Sequence, residues 1–270
     1  MSFDILPVIE GWDFHPDDVT VRSVRAEDGR ELIQLRLDLG LMQMEVDGRP
    51  DGQKVENFDS WLDLHTHRQA EHDTANPDGA PYLLEPEDCA VLMRECVQYY
   101  HRYVSFWAIS RYELCARDTE RNLRLFAFVR DHARLDRDKL QFDQWRPYVI
   151  MMHARAVATP LADLGQYEAA ISSIDAGIRR IEQFLTDYDR EDQAERVNEL
   201  VFLKHWRGEI ASKLDQPEDQ PAEASPLEQA RQRLADAIEA ERYEEAAQLR
   251  DELRRLEEPP PPTGPPMQGE

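Results

Sequence analysis

The chain has 270 residues, 41% of them hydrophobic, which is enough to build a substantial core. Its 55 acidic residues outnumber 32 basic ones, and the net charge of −23 repels phosphate backbones and anionic lipid head groups. We therefore expect no direct nucleic-acid binding and no membrane binding. The acidic start lacks a signal peptide's basic region, and charges interrupt every apolar stretch, so a cytoplasmic location is expected.

Residues 1–80 are predicted to form a small β-containing N-terminal region. Hydrophobic residues alternate with polar ones over residues 19–24 and again over 35–41. Between them, Asp28-Gly29 supplies turn chemistry that allows a positive φ, which predicts a β-hairpin. Further alternation predicts a third strand, through Met42, Met44 and Val46.

Two Asp-Gly pairs surround Pro50 in the stretch "DGRPDG" at residues 47–52, and they predict turns that end the sheet. The alternative is that Asp47 and Asp51 bind a cation. A calcium loop needs more oxygen ligands at set spacing, and the stretch does not supply them. Turns are therefore the favoured interpretation.

The stretch "DLHTHRQAEHD" at residues 63–73 concentrates several side chains that can bind zinc. Their spacing fits neither a closed zinc site nor the helix of an HExxH motif, so a polar loop is predicted. The alternative is that the protein is a metal-binding or enzymatic regulator whose site uses His65, His67 and Asp63.

Residues 85–214 follow a helical period and predict an α-helical middle domain. Its first helix is predicted to begin at Glu85-Pro86, since proline suits a first turn and acid suits the helix dipole. A core stripe follows, made of Leu92, Cys96, Tyr99, Tyr103, Phe106 and Trp107. Stacking of nucleic-acid bases on these aromatics is the less favoured alternative. The three cysteines, all in this region, predict reduced, packed thiols.

An internal repeat runs through the middle domain at an offset of 55 residues, pairing Tyr112 with Tyr167 and Leu123 with Ile178. The pattern of side-chain sizes is kept over the whole of the paired stretches, 110–129 and 165–184. It predicts two related helical segments.

The second copy resembles one tetratricopeptide-type helix pair, through Gly165, Tyr167 and Ala170. It departs from that family at Pro160, inside the first helix, and at Gly177, where alanine is preferred. The resemblance implies a stack of helix hairpins whose concave surface often holds peptides, although plain structural packing is an equal alternative.

Three arginines, Arg117, Arg121 and Arg124, share one helical face in the only locally basic part of the chain. Acidic neighbours such as Asp118 favour an ordinary solvated surface. The alternative is a site for an acidic partner, including the protein's own acidic surface.

The chain ends in a predicted helix hairpin at residues 226–258, between an acidic flexible linker at 215–225 and a disordered, proline-rich tail at 259–270. Ser225 and Glu228 form a capping box with proline at the first helical position. Apolar residues then follow one face of each predicted helix. The predicted fold class is therefore mainly α, with a β-hairpin-containing start, a tetratricopeptide-like middle and a C-terminal antiparallel hairpin.

The hairpin sequence, which includes "YEEAAQLRDEL", closely resembles the UvrB/UvrC motif, or UVR domain. The resemblance is carried by Leu234, Ala237, Ile238, Glu241, Tyr243, Glu244, Ala246, Ala247, Leu249, Arg250 and Asp251. In that family the hairpin pairs with another UVR hairpin, joins UvrB to UvrC in nucleotide excision repair, and recurs in McsA-type and ClpC-type stress proteins. Upstream, nothing resembles the UvrB helicase, the UvrC nuclease or the zinc motifs of McsA.

The resemblance implies a binding mode, so we expect a non-enzymatic adaptor or regulator in repair or in stress and proteolysis control. The expected partner is a protein with a UVR hairpin or a second copy of this chain, and no cofactor or metal is predicted. Direct action on damaged DNA is a third hypothesis, which rests on analogy alone. The predicted partner-binding residues are Leu234, Ile238, Tyr243, Ala246, Ala247, Leu249, Arg250 and Leu253.

Overall fold

The computed structural model describes residues 4–214, together with Leu234, Leu249 and Leu253. Its N-terminal part is a three-stranded antiparallel sheet in the order β1-β2-β3, preceded by a short helix. The bounds are α1 Leu6–Ile9, β1 Val21–Arg25, β2 Glu31–Leu37 and β3 Gly40–Glu45. The predicted hairpin and the third strand are both confirmed.

Glycines make the turns around this sheet, as the Asp-Gly pairs predict. Gly29, between β1 and β2, has a φ of +88°, a left-handed conformation that glycine adopts without steric cost. Gly48 and Gly52 also have positive φ angles, of +64° and +69°. The two turns around Pro50 therefore carry the chain away from β3.

Helices make up most of the rest, and the mainly-α fold class is confirmed. Their bounds are α2 Trp61–Ala75, α3 Pro86–Ala108, α4 Tyr112–His132, α5 Asp136–Asp143, α6 Arg146–Asp163, α7 Tyr167–Asp187, a 3₁₀ helix at Glu191–Arg196, and α8 Asn198–Leu214. Among the helices within residues 4–214, none is both long and apolar enough to cross a bilayer.

The polar loop predicted over residues 63–73 is wrong, because these residues lie inside helix α2. Ser60 caps the helix: its Oγ accepts the backbone N–H of Asp63 at 3.1 Å and donates to the Asp63 carboxylate at 2.6 Å. From α3, the Glu95 carboxylate accepts the N–H of Trp61 at 2.8 Å. Two caps therefore start a helix that has little apolar stripe of its own.

The 55-residue repeat appears as two helix hairpins, α3–α4 and α6–α7, whose turns have the same geometry. Helices α3 and α6 end 55 residues apart, and so do the starts of α4 and α7. In the first turn the N–H of Arg111 donates to the Phe106 carbonyl at 2.8 Å; in the second, Gln166 donates to Leu161 at 2.9 Å. Both turns are Schellman motifs. The tetratricopeptide-type resemblance itself stays a prediction.

The sheet and the helices share one hydrophobic core. Ile33 and Met44 contribute to it from the sheet, and Phe106, Phe126 and Ile174 from the helices. The stripe predicted on α3 is confirmed as core, since five of its six side chains are buried and Trp107 packs partly buried against them. All three cysteines are buried and free, as predicted.

Candidate functional site

The candidate docking hairpin is visible through three of its leucines. Leu234, from the first predicted helix, and Leu249 and Leu253, from the second, are all helical. Leu249 is only 3% exposed and Leu253 only 7%. Half-buried Leu234 packs against Leu249, so residues of the two predicted helices are in contact, as a hairpin requires.

Leu249 and Leu253 lie one helical turn apart and therefore share a face of the second helix. Burial of a leucine typically contributes about 2–5 kcal/mol relative to alanine, and Leu249 contributes it through a contact between the two predicted helices. Leu234 keeps part of its apolar surface in solvent. Among the three leucines, it is therefore the one best placed to contact another molecule.

The other predicted binding residues, Ile238, Tyr243, Ala246, Ala247 and Arg250, lie outside the described residues. The same is true of the predicted linker at 215–225 and of the tail at 259–270.

Comparison with known protein families gives one match, to the UvrB/uvrC motif, over residues 224–258. The chain carries a UvrB/uvrC motif. The matched range includes all three described leucines of the hairpin. No curated protein and no solved structure matches the chain.

His65 and His67 of α2 lie in different environments and do not form one site. His65 is buried, with its Nδ1 2.9 Å from the Tyr82 hydroxyl and its Nε2 3.7 Å from the Asp88 carboxylate. Burial lowers the pKa of His65, so the neutral ring is favoured. His67, in contrast, is half exposed and lies 3.3 Å from Glu71. His65 thus joins α2 to the helical core.

Within residues 4–214 and the three described leucines, no three His, Cys, Asp or Glu side chains are grouped so that they could hold a metal ion. The turn acids are engaged with the protein itself. Asp47 pairs with Arg117 at 2.9 Å, while Asp51 pairs with Arg49 at 2.9 Å and accepts a hydrogen bond from Gln98. These contacts fit the interpretation of the stretch as turns.

The arginine face predicted on α4 is not simply a solvated surface. Arg124 is exposed, but Arg121 is buried and pairs with the buried Glu95 carboxylate of α3. Arg117 donates to the carbonyl of Val46 at 2.7 Å and to the Asp47 carboxylate at 2.9 Å. Arg117 and Arg121 therefore pair with acids of this protein itself, Asp47 after β3 and Glu95 on α3, which corrects the favoured interpretation.

These contacts belong to two groups of ion pairs, here together called the ionic junction: Glu95 with Arg49 and Arg121, and Asp118 with Arg102 and Arg117. Arg102 and Arg121 both lie over the Tyr99 ring, which is placed between the two groups. The pair between Arg102 and Asp118 is bidentate, since Arg102 donates to both Asp118 oxygens, at 2.6 and 3.0 Å. Both side chains are 1% exposed. Sequence reasoning missed this cluster, although Glu95 and Arg102 lie on the buried side of α3 beside the predicted stripe.

Proposed function

We propose that the protein is a non-enzymatic adaptor that docks onto a protein partner through its C-terminal hairpin. The observation that carries this proposal is the UvrB/uvrC motif at residues 224–258. The packing of Leu234 against Leu249 supports it, because it joins the two halves of that motif. The motif is associated with pairing between hairpins, and that mode of binding requires no catalytic group.

Size gives the physical reason for docking. A hairpin of this length falls below the roughly 40 residues that usually hold a core unaided. A second hairpin can cover its apolar edge and complete a four-helix arrangement. At about 25 cal/mol per Å², burying a few hundred Å² more contributes several kcal/mol before association costs, enough for reversible pairing.

The partner is a protein that carries a UVR-type hairpin, or a second copy of this chain. The net charge of −23 disfavours direct contact with DNA, so a role in a repair or stress pathway would be exerted through that partner. The mixed helical and β body at residues 4–214 is then the part that the hairpin brings to the partner.

Association of full-length protein tests the proposal, measured by sedimentation equilibrium for self-pairing and by titration with an isolated UvrB hairpin for hetero-pairing. Leu234→Asp places a charge on the half-buried edge and is expected to weaken association at least tenfold. Truncation at Pro217 removes the whole hairpin and is expected to abolish it.

The matched control is Leu164→Asp, the same change at a leucine that is 72% exposed in the turn between α6 and α7. It should leave association unchanged. Equal association of wild type, Leu234→Asp and the truncated chain would contradict docking through the hairpin. Strong retention of DNA in a low-salt filter-binding assay would favour direct action on DNA instead.

A further inference from the structure

A cavity of about 180 Å³ lies between α3, α4 and the beginning of α6. Its rim consists of the half-buried side chains of Met93, Val97, Tyr100 and Trp145. Its deeper wall consists of buried side chains, namely Cys96, Tyr103, Asn122, Phe126, Tyr148 and Val149. The space is therefore a pocket with a partly exposed entrance and a buried inner wall in which three of the six side chains are aromatic.

The cavity lies at the place where the two helix hairpins differ. Helix α3 begins at residue 86, and the 55-residue repeat would start its counterpart at 141, but α6 begins only at Arg146. Trp145 immediately precedes α6, and Tyr148 and Val149 belong to its first turn. In the second hairpin the corresponding positions belong to the end of α5 and to the two residues that lead into α6, and the pocket lies beside the start of α6.

None of the described residues that line the pocket carries a charge. The Asn122 amide is engaged, since its Nδ2 donates to the Cys96 carbonyl at 3.1 Å and its Oδ1 accepts from Arg121 at 3.2 Å. Burial raises the pKa of the Tyr100 and Tyr148 hydroxyls, which stay neutral. The Trp145 Nε1–H is closed off from solvent, so Trp145 contributes carbon atoms of its ring to the pocket surface.

We propose that this pocket binds a neutral, flat aromatic molecule of one or two rings. A cavity of roughly 150 Å³ accommodates benzene, so the volume suits a small ring system. Tyrosine and tryptophan side chains offer faces and edges to such a ring. A charged ligand would lose its hydration without an opposite charge in the pocket.

This site is independent of hairpin docking, and its test uses the full chain with quinoline, a neutral bicyclic aromatic compound. Tryptophan labelled with ¹⁵N gives one indole N–H resonance for each of the five tryptophans. We expect saturable movement of the Trp145 resonance, because the Trp145 side chain lines the pocket. Trp145→Phe assigns that resonance by deleting it. In calorimetric titration the same variant should bind quinoline about fivefold more weakly, because the smaller ring makes less contact with the ligand.

Val97→Phe narrows the entrance and is expected to weaken binding at least tenfold. The matched control, Val201→Phe on α8, changes a residue that is 47% exposed and should bind quinoline like the wild type. The proposal is overturned if millimolar quinoline gives no saturable shift, if another indole responds, or if Val97→Phe binds as tightly as Val201→Phe. Should Val97→Phe fail to fold by circular dichroism, the Trp145→Phe comparison decides.

Discussion

The two helix hairpins of the molecule, α3–α4 and α6–α7, share a turn but differ in the chemistry that they bury. In each turn a residue with positive φ follows the first helix, Ser110 at 57° and Gly165 at 72°. Farther along, the buried acid Asp118 of α4 corresponds in the repeat to Ser173 of α7. Shared turns thus preserve the hairpin shape, while the side chains along the second helix determine what each hairpin can pack against.

The first hairpin is joined to the sheet by charged groups. Arg102 uses its remaining Nη1 to donate to the carbonyls of Glu45 and Gly48, at 2.9 and 2.8 Å. The second hairpin uses close apolar packing instead, since a Cβ built at Gly177 would lie 2.8 Å from the Ala154 Cβ and 3.2 Å from Leu203 of α8. One repeat therefore supports two different kinds of interface.

The largest expected effect comes from breaking the ionic junction in the first hairpin. Asp118→Ala leaves the Arg102 guanidinium buried without its bidentate partner. Removal of one member of a buried pair typically costs about 3–5 kcal/mol, so the free energy of unfolding should fall by that amount. Urea denaturation followed by circular dichroism measures it.

Ser173→Ala, at the corresponding position of the second hairpin, is the control and should change stability by less than about 0.5 kcal/mol. Its hydroxyl only bonds the carbonyl of Ala169 within the same helix. If Asp118→Ala lowers the free energy of unfolding by less than about 1 kcal/mol, the ionic junction contributes little to the packing of the sheet against the helices.

A smaller effect is expected from overfilling the second hairpin with Gly177→Val. The first added carbon already overlaps Ala154, and overpacking in a core typically costs about 1–3 kcal/mol. The same urea experiment should therefore show a loss of about 2 kcal/mol, less than for Asp118→Ala. The same close approach explains why glycine rather than alanine occupies position 177.

Gly208→Val makes the identical change in α8, where a Cβ would meet no heavy atom within 4 Å. Valine forms helices slightly better than glycine, so stability should stay equal or rise by a few tenths of a kcal/mol. If both valine variants change the free energy of unfolding equally, the close approach of α7 to α6 at Gly177 does not determine the stability of the second hairpin.

Much of the fold could be predicted from sequence because it depends on local signals. Alternating valines and leucines with Asp28-Gly29 predict the sheet, and a proline preceded by acid predicts the start of α3. Helix α2 could not be predicted from periodicity because it has little apolar stripe, and one of its caps comes from Glu95 on another helix. The other signal was present locally, in the Ser60 and Asp63 capping pair.

The candidate sites also divide into those encoded by a continuous stretch of sequence and those that depend on contacts between distant residues. The UVR hairpin was predictable because its motif is contiguous, and the match at residues 224–258 confirms the motif. The pocket was not predictable, because its lining residues come from three helices and the turn before α6, which only the fold brings together. The ionic junction was not predictable either, because the pairing of each arginine with its acid on the neighbouring helix is set by how α3 packs against α4.

The smallest expected effect concerns the turn that the hairpins share, tested by exchanging its residues. Gly165→Ser places a side chain in the left-handed region and should cost about 1 kcal/mol, while Ser110→Gly relieves that strain and should gain a similar amount. Because the turns have matching hydrogen bonds, the double exchange should be nearly neutral in urea denaturation. If Gly165→Ser and Ser110→Gly change the free energy of unfolding in the same direction, the two turns have the same shape but different energies. In that case the packing around Ser110 holds it in its left-handed conformation.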